Sequence, residues 1–211
     1  VLISKYYTKK TIYEARGGAF LNSFFSGHYA YKKIFLYIIK NCDCIFVQGK
    51  KYIEFLSNKT KCPIEYYPNY INKDLINLSL GQKKPPADIV TFIYFGRITY
   101  DKGIKKIINI VKNIKEFGFK VKLYIIGQNY LQYESLQSIL NGSNIKKFII
   151  ILSPMPFNEL SNYLIESHFF LFPTENPMEG HSNSLTEAMA FGVVPICSNA
   201  GFNSEIVNNN G

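Results

Sequence analysis

The sequence predicts an α/β protein built on parallel sheets, and three observations carry that prediction. Short, nearly continuous apolar runs recur at Ile89 to Phe95, Val121 to Ile126, Phe148 to Leu152, His168 to Phe172 and Val193 to Cys197. Segments of helical spacing separate them. Each run stops at a breaker or small polar residue: Gly96, Gly127, Ser153-Pro154, Pro173, and Asn199-Ala200-Gly201. Strands apolar on both sides are those covered by helices on both sides, and strand–helix alternation makes the sheet parallel. Ligands on such sheets bind beyond the carboxyl ends of the strands, where all these stop residues fall.

The elements follow in order. In residues 1–80, Thr11 to Ala15 reads as a strand ended by Arg16-Gly17-Gly18, and Tyr29 to Lys40 as a helix. Cys44 to Val47 is a buried strand, Lys50 to Leu56 a helix, and Ile64 to Tyr67 a strand ending at Pro68-Asn69. Two or three strands cannot bury both faces alone, so this first domain is expected to be incomplete, with earlier strands missing. Both ends of the chain, Val1 and Asn210-Gly211, look cut. A polar, Pro-rich stretch, Gly81-Gln82-Lys83-Lys84-Pro85-Pro86-Ala87-Asp88, reads as a linker over 81–89. In the second domain, 90–211, Lys102 to Phe117 is helical, with apolar residues at 104, 107, 108, 111 and 114 and closure at Gly118. Further helices are expected over Leu131 to Leu140, over Phe157 to Glu166 after Pro156, and near 183–191, with the last helices of the domain missing.

At 211 residues, 47% of them apolar and 16% aromatic, the chain is globular. The formal net charge of +9 is uneven: residues 1–80 hold twelve Lys/Arg against five Asp/Glu, and the remainder twelve against ten. Such an excess is either a solvated surface or one that meets an anionic membrane or acidic acceptor. No zinc spacing, RNP-like motif or basic helix supports nucleic acid as a partner. Cys42, Cys44, Cys62 and Cys197 match neither a disulfide framework nor a zinc ribbon and read as reduced core thiols. No run reaches the ~18 apolar residues of a membrane span, and no signal peptide is visible, so the expected location is cytoplasmic.

Glu179 and Glu187 stand in the stretch Glu179-Gly180-His181-Ser182-Asn183-Ser184-Leu185-Thr186-Glu187-Ala188-Met189-Ala190-Phe191-Gly192. The spacing puts one carboxylate in a loop and the other on the helix that follows. Ser182 or Ser184 can cap that helix, and Leu185, Ala188 and Met189 give it an apolar face. A helix N-terminus suits phosphate, while carboxylates accept hydrogen bonds from hydroxyls. A sugar nucleotide offers both; the alternative is a surface Glu beside a helix-stabilising one. Earlier, Gly96-Arg97 closes a strand and Asp101-Lys102-Gly103 opens a helix. A glycine turn lets backbone approach a ligand, Arg97 offers a planar fork of donors, and Lys102 a point charge. Together they could clamp a diphosphate.

The order strand-Gly-Arg, Lys-Gly-helix, strand-Gly, Phe-Asn-Glu-Leu helix, strand-Phe-Pro, then Glu-x7-Glu-Ala-Met-Ala-x-Gly-x-x-Pro-Ile resembles family 4 glycosyltransferases of the GT-B fold. The resemblance spans most of residues 64–211, from the Tyr67-Pro68-Asn69 turn onward, and the run Glu179 to Leu185 looks most like members that build polysaccharides. It implies two Rossmann-like domains and transfer of a hexose from a nucleoside diphosphate sugar, with retention, to a polysaccharide or lipid-linked acceptor. It implies no cofactor and no obligatory metal, and no Asp-x-Asp occurs in the chain. By the same resemblance Arg97 and Lys102 hold the donor diphosphate, Glu179 contacts donor sugar hydroxyls, and Glu187 accepts from the ribose. Backbone N–H groups of Gly180, His181 and Ser182 face the distal phosphate or sugar. Gly96 and Gly127 line the donor side, and Ser153, where a glycine is usual, lines the base. Arg16, before Gly17, stands where many relatives carry a His that meets acceptor and donor.

His181 is either a donor contact or a surface-loop residue; His28 and His168 read as structural. Glu205 falls where the family often begins a helix with Glu, and a capping role is equally open. Two other functions remain on the sequence alone: a non-catalytic nucleotide-sugar-binding fragment or pseudoenzyme, and a GT-B sugar-nucleotide epimerase. With a lipid-linked acceptor, the basic first half would contact an anionic membrane peripherally at its inner face.

Overall fold

The structure, a computed structural model, describes residues 10–71, 73–79, 84, 88–131, 140 and 145–207. The chain divides into two compact units. The first comprises Val1–Asn69, Pro177–Ser182 and Gly201–Ile206; the second comprises Tyr70–Asn176, Asn183–Ala200 and Val207–Gly211.

The first unit holds strands β1 (Ile12–Ala15), β2 (Cys44–Val47) and β3 (Ile64–Tyr66), all parallel and hydrogen-bonded in that order. Its helices are α1 (Phe20–Ser26), α2 (Tyr29–Asn41) and α3 (Lys50–Ser57). Helix α1 was not expected from the sequence. It places Phe20 and Phe24 one turn apart, and both enter a core with Phe35, Ile39, Ile45, Val47, Tyr52 and Leu56. Aromatic rings meet edge-on there, Phe20 on Tyr52 at 4.9 Å and Tyr52 on Phe202 at 5.1 Å. Such contacts add stabilisation beyond the area they bury. Phe202 is fully buried although it lies far along the chain. His28 caps α2 by accepting from the Ala30 amide at 3.3 Å, a structural task.

The second unit holds β4 (Val90–Phe95), β5 (Val121–Ile126), β6 (Ile149–Leu152), β7 (Phe169–Phe172) and β8 (Val194–Cys197). All pair in parallel, in the order β6-β5-β4-β7-β8. Its helices are α4 (Lys73–Ser79), α5 (Ile104–Glu116), α6 (Phe157–Glu166) and α7 (Asn183–Ala190); α4 was not expected. A further short helix, α8 (Asn203–Val207), begins in the residues of the first unit. Helix α5 buries Ile104, Ile107, Ile108 and Val111, one stripe at helical spacing. His168 ties β7 to β4, its Nδ1 accepting from the Thr91 amide at 3.1 Å. Lys84 donates to the carbonyls of Leu164 and Ile165 at the end of α6, and burial pulls its pKa down to about 8.

Four expectations are corrected. Helix α5 starts at Ile104, not Lys102, because Gly103 sits at φ +77°, outside helical backbone, and Tyr100–Lys102 form a separate 3-10 turn. Met189 is exposed, so the apolar face of α7 is Leu185 and Ala188. The four cysteines are half-buried free thiols at the margins of the cores, with Cys42 and Cys62 Sγ atoms 3.5 Å apart. Glu205 caps α3 rather than its own helix: its Oε2 accepts from the Lys50 amide at 2.6 Å. The helix expected over Leu131 to Leu140 falls on 132–139, outside the described residues. No described helix is long and apolar enough to cross a membrane.

Candidate functional site

In the second sheet the chain runs outward through β5 and β6 on one side of β4, then crosses to β7 and β8 on the other. The switch point lies between β4 and β7, and the connections leaving those two strands diverge at their carboxyl ends. In doubly wound sheets the ligand crevice opens there. The residues after β4 are Gly96 and Arg97, and those after β7 are Pro173 to Asn176.

Both connections are built rigidly. The Tyr94 hydroxyl donates to the Arg97 carbonyl at 2.5 Å, and the Gly96 amide donates to Ile126 at 3.0 Å. Gly127, at the end of β5, lies so close to the Gly96 carbonyl that a side chain there would collide with it. Arg97 itself is exposed, and its guanidinium has no hydrogen-bond partner among the described residues. Lys102 is buried, with its ammonium 5.5 Å over the Phe172 ring at the end of β7. The 3-10 turn bearing Lys102 is stitched to the β7 connection: the Glu175 amide (2.7 Å) and Thr174 hydroxyl (3.1 Å) both donate to the Asp101 carbonyl. Lys106 pairs with Glu175, and Ser198 Oγ, after β8, donates to Thr174 at 2.5 Å. An exposed cation and a buried one thus bracket the switch point. Thr99, which sequence reasoning missed, adds a buried hydroxyl oxygen with no hydrogen-bond partner among the described residues; its only signal was a hydroxyl two residues after Arg97. Ser153, after β6, is exposed on the same edge of the sheet.

Glu187 lies on α7, one residue before the buried Ala188. Its carboxylate is half-buried and has no donor among the described residues; burial pushes its pKa up. A half-buried acceptor without donors is suited to ligand hydroxyls.

Glu179, Gly180, His181 and Ser182 belong to the first unit, as do Arg16 and Gly17. Glu179 is buried, which excludes the surface-residue reading. Its backbone is enclosed by two glycines, Gly18 and Gly201, at each of which a Cβ would collide with the Glu179 carbonyl. His181 is also buried; its Nδ1 has no hydrogen-bond partner among the described residues, and burial lowers its pKa against the opposing pull of Glu205. The surface-loop alternative for His181 therefore falls away. Arg16 is exposed and pairs with Glu14 at 2.7 Å. The Gly17 amide donates to Gln48 Oε1 at 2.8 Å, and the Gly17 carbonyl accepts from Tyr52 at 2.7 Å. Ser182 occupies the position before the first residue of α7.

Two parallel sheets, one in doubly wound order, define an α/β protein, and the solved structures it resembles are GT-B glycosyltransferases. The pattern of the family described as glycosyl transferases group 1 matches residues 80–211. The chain belongs to that family. It is similar to an uncharacterized glycosyltransferase of Methanocaldococcus jannaschii, with 31% identity over 183 residues, covering 80% of this chain and 43% of the relative. It also resembles the capsular polysaccharide biosynthesis glycosyltransferase CapM of Staphylococcus aureus, 32% identical over 110 residues, 50% of this chain and 27% of the relative. Among solved structures, the sucrose-phosphate synthase of Thermosynechococcus elongatus superposes with a TM-score of 0.67 at 16% identity, over 95% of this chain and 53% of that one. The Anabaena protein HepE, in complex with UDP and glucose, gives 0.63 at 14%, over 92% and 54%. The chain thus spans half or less of these two curated relatives' length.

Proposed function

We propose that the protein transfers a hexose from a nucleoside diphosphate sugar to a polysaccharide or lipid-linked acceptor, with retention of anomeric configuration and without a cofactor or obligatory metal. The observation that carries this reading is the pair of cations at the β4/β7 switch point of a group 1 glycosyltransferase chain. Arg97 and Lys102 bind the diphosphate and stabilise the negative charge that grows on it as the glycosidic bond breaks. A buried ammonium is poorly screened by water, and the exposed guanidinium can close bidentately on the leaving group. Glu187 accepts from the ribose hydroxyls, Glu179 from those of the sugar, and the amides of Gly180 to Ser182 face the distal phosphate or sugar. Gly96, Gly127 and Ser153 line the nucleotide side, and Arg16 with Gly17 faces the acceptor.

Calorimetry with a panel of nucleoside diphosphate sugars, followed by a transfer assay, tests this. Arg97→Ala should lower the transfer rate by roughly 10²–10³, and Glu187→Ala should weaken nucleotide binding. Binding and transfer unchanged in both variants would overturn the assignment.

The same reading includes peripheral contact with an anionic membrane. Between Glu14 and Asp43 the chain carries four cations and no carboxylate. Helix α2 turns Tyr29, Lys33, Ile34, Tyr37 and Lys40 outward, with the Lys33 ammonium 4.6 Å over the Tyr29 ring. Aromatic bodies with cationic heads suit a lipid interface, each Lys contributing about 1 kcal/mol at an anionic surface. Co-sedimentation with phosphatidylserine-containing vesicles should fall in the Lys33→Glu/Lys40→Glu variant; equal binding to neutral vesicles by the parent protein would exclude the contact.

A further inference from the structure

A line of side-chain amides runs across the carboxyl edge of the first sheet. The Gly17 amide, after β1, donates to Gln48 Oε1 at 2.8 Å, directly after β2. Gln48 Nε2 donates to Asn69 Oδ1 at 2.6 Å, after β3. Asn69 Nδ2 then donates to the His181 carbonyl at 2.6 Å. Three strand ends and the Glu179–Ser182 loop are joined by one chain in which every donor points the same way. Gln48 is 5% exposed, so its amide cannot trade these bonds for water.

The chain holds only the backbone of His181. The ring stays buried, with Nδ1 unpartnered among the described residues, and Gly18 and Gly201 pack closely against the Glu179 carbonyl. An arrangement that fixes a main chain firmly while leaving a buried polar side-chain atom unspent is one built to present that segment. We infer that Gln48 and Asn69 are positioning residues: through the Gly17–Gln48–Asn69–His181 chain they set the conformation of the Glu179–Ser182 loop, and through it the transfer step. The catalytic part of this rests on the function proposed above; the structural part does not.

Isosteric substitutions test it. Gln48→Glu and Asn69→Asp keep volume but replace a donor with an acceptor, so each faces oxygen against oxygen. Hydrogen–deuterium exchange on the ligand-free protein should show exchange over 177–182 rising about tenfold in either variant, with β1, β2 and β3 protected as before. Unchanged loop exchange, or strands loosening equally with the loop, overturns the inference; Asn69→Asp, at a half-buried position, keeps the test open if Gln48→Glu does not fold. The second arm measures transfer from UDP-glucose, or from whichever panel sugar the parent protein turns over. There kcat should fall about tenfold, while inhibition by the matching nucleoside diphosphate shifts less than about twofold. A loosened loop with kcat unchanged also overturns the role in transfer. If the parent protein transfers no sugar, the proposed function fails while the exchange arm still decides whether the amide chain holds the loop.

Discussion

Glu187 shows how burying a single carboxylate makes stability depend on pH. Burial raises its pKa in the folded state, so the unfolded chain ionises first as pH rises. Stability contributed by the protonated group is full below the ordinary glutamate value, about 4.3, and is lost as pH rises through the folded pKa. Glu187→Gln should therefore unfold at higher temperature than the parent at pH 7, with the difference closing below about pH 4, and should bind nucleotide more weakly. Thermal melts from pH 4 to 8 check this; equal melting temperatures at pH 7 would contradict the burial argument. His181 works in the opposite sense. Its lowered pKa means stability is present above about pH 6.5 and lost as pH falls, since only the unfolded ring takes up a proton readily. His181→Asn should flatten that acid limb.

Among the elements, α3 depends on a partner 155 residues away in sequence, since Glu205 accepts from the amide of its first residue. A carboxylate at a helix N-terminus satisfies an otherwise unpaired donor and meets the positive end of the dipole. Glu205→Ala should cost about 1 kcal/mol in denaturant titration, and Glu205→Gln less. The sequence could not display that partnership, because capping is legible only when the partner is a few residues away. What it did display was local: every apolar run in the second unit became a strand within a residue of its expected ends, and Phe157–Glu166 became α6. Helix α1 escaped notice because seven residues behind Gly17-Gly18 give too little periodicity to read. The stop residues after β4 and β7 were legible as an edge, whereas the burial of Lys102 and Glu179 was not. Each depends on neighbours brought in by the fold: Phe172 for one, Gly18 and Gly201 for the other.

At the scale of the whole molecule, the first unit draws on three separate stretches of chain. Phe202, fully buried against Tyr52, makes one of the later stretches a component of the early core. Phe202→Ala should cost the first unit about 3–5 kcal/mol while amide exchange in β4 and β5 stays slow; equal loosening of both sheets would show that the units do not unfold separately. The same arrangement bears on how the protein is made. A ribosome adding ~5–20 residues per second needs roughly 8–30 s to travel the 155 residues between Lys50 and Glu205. For that interval the surface awaiting Phe202, Tyr52 foremost, stands open on a nascent chain. A surface open that long is exposed to premature association, so slowing translation between the codons for Lys50 and Glu205 should lower the soluble yield.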